Sequence, residues 1–471
     1  MLFRQIMDPS LAQYAYLIGC QQTREAVIVD PERDIDRYLE IAEAEGLTIT
    51  AVTETHIHAD FLSGAREFAE RTRAKLYLSD EGDSDWKYGW ADGHGYDTTL
   101  LKNGDTFQVG NIELKALHTP GHTPEHLSFL VTDHGGGASE PMGILSGDFV
   151  FVGDLGRPDL LESAAGVIGA REPSAHRLHE SVQQFLELPD FLQVWPAHGA
   201  GSACGKALGA VPMSTVGYER RFNAAIDAAS RGEEQFVQAI LDGQPEPPLY
   251  FARMKSLNRS GPPVLGELPT PRHLSTEELE RASGRVDAVV VDTRTDRKRF
   301  MKAHLPRSLY APLGKSFPTV VGSYVDPKED IILVIAPDRV DEAVRNLIRI
   351  GLDRIGGFIV PDELSQAGSL VSTKIVSFDE LEELASNDLT VLDVRGAAEF
   401  ARRRIPEAIN IAHTRLRAQH HEVPSQGPIY VHCQGGARAA VAAAFLERMG
   451  HEVLFIDDLF SNWQAAAGAP G

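Results

Sequence analysis

From residue 1 to about 240, short apolar runs alternate with turns rich in Gly, Asp and His. Ala15 to Ile18, Glu25 to Asp30 and Ile49 to Thr53 predict strands, because β-branched and aromatic positions suit a pleated surface. The apolar spacing of Ile35 to Glu45 predicts an amphipathic helix between the last two. From residue 242 to 271 the pattern lapses into prolines: Pro245, Pro247, Pro248, Pro262, Pro263, Pro269 and Pro271. That stretch predicts a linker, one able to pack along the segment before it.

The remainder of the chain repeats itself. Val289-Val290-Val291-Asp292-Thr293-Arg294, then Phe300 and Leu305-Pro306, is answered by Val391-Leu392-Asp393-Val394-Arg395, then Phe400 and Ile405-Pro406. Each copy continues with a strand (Ile331 to Ile335, or Ile429 to His432), a loop and a helix (Asp341 to Ile350, or Ala437 to Met449). A glycine suited to a left-handed cap follows each helix, Gly351 or Gly450. Alternating β and α segments predict parallel sheet covered by helices on both faces.

Composition narrows the class. Apolar residues are 43% of 471, enough for large cores. The 45 basic and 67 acidic residues give a net charge of −22 with the acids dispersed, which argues against nucleic acid as a partner. With only Cys20, Cys204 and Cys433, a disulfide framework is excluded and reduced thiols are expected. The N-terminus lacks a long apolar run and no 18-residue apolar stretch occurs, so neither a membrane span nor a secretion signal is expected. A reducing cytoplasm is the expected location.

Candidate chemistry gathers at strand ends. Thr55-His56-Ile57-His58-Ala59-Asp60-Phe61, His118-Thr119-Pro120-Gly121-His122, Leu145-Ser146-Gly147-Asp148 and Trp195-Pro196-Ala197-His198-Gly199 each follow an apolar run. Loops held by strand ends aim side chains at one point with little freedom, so a metal site is expected. His118, His126, His134, His176 and His179 have no second argument and are read as structural, and Cys20 as core. A second centre is expected in Tyr430-Val431-His432-Cys433-Gln434-Gly435-Gly436-Ala437-Arg438, where a strand ends in cysteine and a helix opens. Backbone N–H groups of such a loop, Gly435 and Gly436 among its members, wrap the Cys433 sulfur. The helix N-terminus favours the thiolate. Arg438 can neutralise an anion such as sulfite or thiosulfate. A phosphatase loop has a longer Cys-to-Arg spacing.

These motifs carry two resemblances. Residues 1–241 resemble the metallo-β-lactamase fold in its persulfide dioxygenase branch, close to glyoxalase II. The residues are Thr55 to Asp60, Thr119 to Thr123, Ser146 to Asp148, Leu155 to Asp159 and Pro196 to Gly199. Residues 372–471 resemble rhodanese, though Arg403-Arg404 stands where that family has Gly-His. Residues 272–368 resemble a rhodanese domain without its cysteine, since Ala336-Pro337-Asp338-Arg339 occupies the loop. The fold implied is α/β: an αββα sandwich, the linker 242–271, and two rhodanese-like α/β domains.

The first resemblance implies one iron(II) per chain on His56, His122 and Asp148, with zinc as the alternative. A 2-His-1-carboxylate set leaves positions open for oxygen and a substrate sulfur. His58, Asp60 and His198 then orient ligands or hold water. In related two-metal hydrolases a second histidine follows the aspartate. Phe61 stands there instead, leaving His198, Asp60 and a bridging Asp148 for a weak second ion. Arg157 is implied to contact a thiol carrier's carboxylate or phosphate, a structural pair with Asp159 being the alternative. Cys204, six residues past His198, either exchanges sulfur with the substrate or is buried and inert.

The expectation that follows is oxidation of a low-molecular-weight thiol persulfide by O2 to sulfite. It is coupled to sulfur transfer through Cys433 between sulfite and thiosulfate, in either direction. A tether raises the effective concentration of a shared intermediate. A zinc-dependent thioester or lactone hydrolase fused to a rhodanese is the alternative, and a sulfur carrier or sensor the third reading. The metal-domain resemblance implies a homodimer or homotetramer.

Overall fold

The computed structural model describes all residues except 92, 164–167, 367, 369, 384–388 and 467–471. The last five positions of the domain expected over 372–471 therefore lie outside the described residues. Two compact units are present, Met1–Leu268 with Ile348–Gly351, and Pro269–Leu347 with Leu352–Gly471. No described helix is long and apolar enough to cross a membrane.

The described residues of the first unit hold two six-stranded sheets. One runs Leu2–Asp8, Gln13–Cys20, Glu25–Val29, Thr48–Thr53, Lys75–Ser79 and Thr98–Leu101, antiparallel at its start and parallel from Glu25–Val29 onward. The other is ordered Ser214–Thr215, Gln193–Pro196, Gly143–Gly147, Leu127–Asp133, Ile112–His118 and Thr106–Val109. Side chains alternate across a strand. Tyr14, Tyr16 and Ile18 meet Phe107, Leu114 and Phe129 of the other sheet, whereas Ala15 and Leu17 turn outward. On that outer face they meet Tyr38 and Ala42 of the helix Asp36–Ala44 and Phe68 of Ala65–Thr72. The second sheet is covered by Arg171–Phe185, Ala224–Arg231 and Glu233–Leu241, through Leu178, Val182, Ile226 and Phe236. This is the expected αββα sandwich. With both faces covered, all eight residues of Gln13–Cys20 are buried.

Within the proline-rich stretch 242–271, Phe251–Ser260 forms a helix that buries Phe251, Met254 and Asn258. Pro248 precedes it, and Gly261 at φ 101° with Pro262 stops it. Flanking prolines hide so short a helix in the sequence.

The second unit carries the duplication down to atoms. One parallel sheet is ordered Leu309–Tyr310, Ala288–Asp292, Asp330–Val334 and Ile355–Ile359. The other is ordered Lys374–Val376, Val453–Ile456, Ile429–His432, Thr390–Asp393 and Ile409–Asn410. Arg294 forks onto Asp292 and donates to the Ala303 carbonyl at 2.9 Å; Arg395 forks onto Asp393 and donates to that of Arg403 at 2.7 Å. Gly351 and Gly450 follow their helices at φ 69° and 92°, as expected of left-handed caps.

The helix Arg171–Phe185 also fixes the loop that carries His122. Ser181 Oγ donates to the Pro120 carbonyl at 2.7 Å. Gly121, at φ 145°, leaves no room for a Cβ, which would stand 2.5 Å from Leu178 Cβ and 2.6 Å from its Cα. Gly121→Ala should cost about 2–3 kcal/mol from overpacking against a helix backbone that cannot yield. Urea unfolding of the full chain checks this, and an unchanged midpoint would contradict the packing argument.

Candidate functional site

The first centre is built on Asp30, at the end of the strand Glu25–Val29. Its carboxylate accepts from Thr55 N at 2.7 Å and Thr55 Oγ1 at 2.9 Å, and lies 3.1 Å from His58 Nε2. Thr55 Oγ1 in turn contacts His56 Nδ1 at 3.0 Å, which turns Nε2 of His56 inward. His122 is turned the same way, its Nδ1 being 3.1 Å from the Arg157 carbonyl oxygen. Asp148 reaches them from the loop after Gly143–Gly147, with its backbone N–H donating to His126 Nε2 at 3.1 Å. His126 is held by Thr119 Oγ1 at 2.8 Å.

The expected residues His56, His122 and Asp148 thus meet, each buried, with one ligand atom apiece within 4.8 Å of the others. Asp148 Oδ2 lies 3.8 Å from His56 Nε2 and 3.4 Å from His122 Nε2, and has no hydrogen-bond partner. A buried carboxylate oxygen without a donor, facing two imidazole nitrogens, suits a metal cation. Burial, with the neighbouring histidine charges, pushes His56 and His122 below the ordinary value, toward the neutral form that ligates.

The other carboxylate oxygen is occupied. His198 Nδ1 lies 2.6 Å from Asp148 Oδ1 and its Nε2 lies 2.8 Å from Asp60 Oδ2. Burial opposes a charged ring, but the two carboxylates prevail and hold His198 well above its ordinary range. Asp60, His198 and Cys204 make a second group whose ligand atoms lie within 4.8 Å. Cys204 is buried, and desolvation with the charges of Asp148 and Asp60 raises its thiol. Phe61 is fully buried, its ring 4.3 Å from that of His58.

Arg157 is 1% exposed and forks onto Asp159 at 2.8 and 2.6 Å, the pairing weighed as the alternative to carrier binding. Its third donor, Nη1, reaches the Ala203 carbonyl at 3.2 Å, clasping the Cys204 loop. A different cation faces the site. Ile57, Trp86, His122, Phe251 and Lys255 line one pocket, with Lys255 Nζ 3.5 Å from the Trp86 ring centroid. Burial lowers Lys255 to about 8, with Glu125 opposing.

Sequence reasoning passed over the residue that locks the metal loop. Asn258 donates from Nδ2 to the carbonyls of His58 at 2.8 Å and Phe61 at 2.7 Å, and accepts from Ser63 N at 2.9 Å. Nothing in the pattern marks an asparagine about 200 positions away. Asp30 and Lys255 were missed for the same reason, their partners being remote in sequence, whereas His126, read as structural, supports the Asp148 backbone.

The second centre follows the strand Ile429–His432. Cys433 is 2% exposed, and the helix Ala437–Arg448 begins after Gly436 at φ 87°. Arg438 forks onto Glu399 at 2.6 and 2.9 Å, at the far end of the loop from Cys433. Six residues thus form a loop closed at both ends, with Gly435 and Gly436 between. In the first copy the same position is a turn of 3-10 helix, Pro337–Arg339, without a thiol.

The Metallo-beta-lactamase superfamily matches residues 9–198 and the rhodanese-like domain residues 377–466. The mitochondrial persulfide dioxygenase of Bos taurus is 26% identical over 243 residues, 51% of this chain and 80% of that one. A hydroxyacylglutathione hydrolase of Synechococcus is 30% identical over 186 residues, 39% of this chain and 64% of that one. A crystal structure titled metallo-beta-lactamase from Staphylococcus aureus is 40% identical with a TM-score of 0.68, covering 77% of this chain and 99% of its own.

Asn258→Ala removes three hydrogen bonds from the backbone that carries His58 and Phe61. It should lower stability by about 2 kcal/mol and weaken metal retention roughly tenfold. Metal content after dialysis against a graded chelator checks this, and retention equal to the parent's would dismiss the locking role.

Proposed function

The chain belongs to the metallo-β-lactamase superfamily and carries a C-terminal rhodanese domain, and on that premise we propose that it oxidises a low-molecular-weight thiol persulfide and moves its sulfur through Cys433. The observation that carries this reading is the pairing, in one chain, of a His56, His122 and Asp148 set with a closed Cys433 loop. The 26% identity to a persulfide dioxygenase supports the first half. The residues fit iron(II), which when bound supplies dioxygen activation at positions the three ligands leave open.

The protein's own contribution is binding, charge placement and exclusion of water. Neutral His56 and His122 and the free Oδ2 of Asp148 would hold the cation, while His198 bridges Asp148 and Asp60. Ile57, Trp86 and Phe251 give the substrate an apolar wall, and Lys255 offers a cation to an anionic carrier. Arg157 keeps the Cys204 loop in place. The overall change is RSSH + O2 + H2O to RSH, sulfite and two protons. At the other centre the Cys433 thiolate attacks the terminal sulfur of a persulfide, releases the carrier thiol and becomes a persulfide itself. Sulfite then takes that sulfur as thiosulfate and the thiolate returns; the steps also run in reverse.

One observation favours a second reading. Asp60, His198 and Cys204 lie next to the first ligand set, and a second ion there suits a zinc-dependent thioester hydrolase.

Oxygen uptake by anaerobically iron-loaded protein given glutathione persulfide separates the readings. Prompt uptake is expected, with thiosulfate accumulating for the parent in the presence of excess persulfide, and sulfite for Cys433→Ser. Absence of uptake with several carrier persulfides, while the zinc form cleaves a glutathione thioester, would replace the dioxygenase with the hydrolase.

A further inference from the structure

The copy that lacks a cysteine is not confined to its own fold. Arg297 opens the helix Arg297–Lys302 in that copy, and its side chain reaches the sulfur-transfer loop of the other. Nε donates to Asp457 Oδ1 at 2.7 Å and Nη2 to the Gly435 carbonyl at 3.2 Å. Asp457 follows the strand Val453–Ile456, and its side chain is 3% exposed. A Cβ on Gly436 would stand 2.5 Å from Asp457 Oδ1 and 3.1 Å from Arg297 Nε and Nη2. Arg297, Asp457 and Gly436 therefore fill one another's space, at a residue whose φ of 87° already demands glycine.

In a planar trans peptide the C=O and the next N–H point in opposite directions. Two successive carbonyls of this loop are held by donors from other segments. Gln434 O accepts from Phe460 N at 3.1 Å, and Gly435 O accepts from Arg297. The N–H groups of Gly435 and Gly436 are accordingly turned away from those donors. We propose that Arg297 is a positioning residue of the sulfur-transfer site, fixing the Gly435–Gly436 peptide so that its N–H faces the sulfur carried on Cys433. Its charge is matched by Asp457, so its effect is geometric. An N–H aimed at the sulfur stabilises the thiolate and the persulfide anion over their protonated forms. A lysine keeps the charge but not the planar fork that bridges Asp457 and Gly435.

This inference rests on the sulfur-transfer half of the proposed function, and the test separates the two. Full-length parent, Arg297→Gln and Arg297→Lys are compared for sulfur transfer from thiosulfate to cyanide. Alkylation of Cys433 by iodoacetamide is followed in parallel across pH by mass spectrometry of its peptide. Both variants should lose about tenfold in kcat, keep KM for thiosulfate within about twofold, and shift the alkylation midpoint up by about one pH unit. A parent without sulfur transfer would defeat the functional reading. An active parent matched by Arg297→Lys in kcat and alkylation midpoint would overturn the bridging role. If Arg297→Gln fails to fold, Arg297→Lys alone decides between these outcomes.

Discussion

The metal centre depends on an imidazole shared by two buried carboxylates. Removing a carboxylate from water costs several kcal/mol unless it is paired, and here two of them lie around one ring. His198, between Asp148 and Asp60, answers both at once. The consequence is directional. With Oδ1 of Asp148 engaged, only Oδ2 remains, and it faces His56 and His122. The proton-bearing side of the site thereby selects which oxygen is offered to a metal. His126 does the same for the backbone, accepting the Asp148 N–H.

Much of this centre was legible because strand ends leave signatures. An apolar run followed by His-x-His-x-Asp, Pro-Gly-His or Gly-Asp places polar side chains at the rim of a sheet, and four such rims converged as expected. The two-sheet sandwich came from the family resemblance, the pattern itself giving only the α/β class: Tyr14 to Ile18 are apolar throughout, and the structure alone divides Tyr14, Tyr16 and Ile18 from Ala15 and Leu17. What the sequence hid were contacts of single polar residues with distant backbone. Asn258 stabilises carbonyls at His58 and Phe61 from within a proline-rich stretch, and its helix is too short and too interrupted to announce itself. Arg157 shows the complementary difficulty. Its motif marks an arginine at the site, whereas the geometry gives its guanidinium to Asp159 and the Ala203 carbonyl.

Phe61 and Asn258 belong to one local solution. The loop from Thr55 to Ser63 carries five polar side chains, Thr55, His56, His58, Asp60 and Ser63, into a buried space, and its carbonyls also need donors there. Asn258 supplies two of them, and the Phe61 ring fills the volume beside His58. A ligating residue at position 61 would place another polar group in that dry environment, needing a cation or a partner of its own. Apolar packing at this position therefore leaves the second group to Asp60, His198 and Cys204, without a ligand from position 61.

The duplicated half separates what a fold requires from what chemistry requires. Both copies keep the Asp–Arg fork, with the third arginine contact falling on the Ala303 carbonyl in one and the Arg403 carbonyl in the other. Both also keep the glycine that ends the helix in a left-handed turn. A buried arginine satisfied by a carboxylate and a main-chain carbonyl closes the connection after the strand whether or not a thiol is present, so that fork reports architecture. Cys433, the φ of 87° at Gly436 and the Arg438–Glu399 fork occur in the second copy, where the corresponding turn of the first is Pro337–Arg339. Those features cost conformational freedom without being needed for the sheet to form. Their presence in one copy marks what that loop has beyond the fold that both copies share.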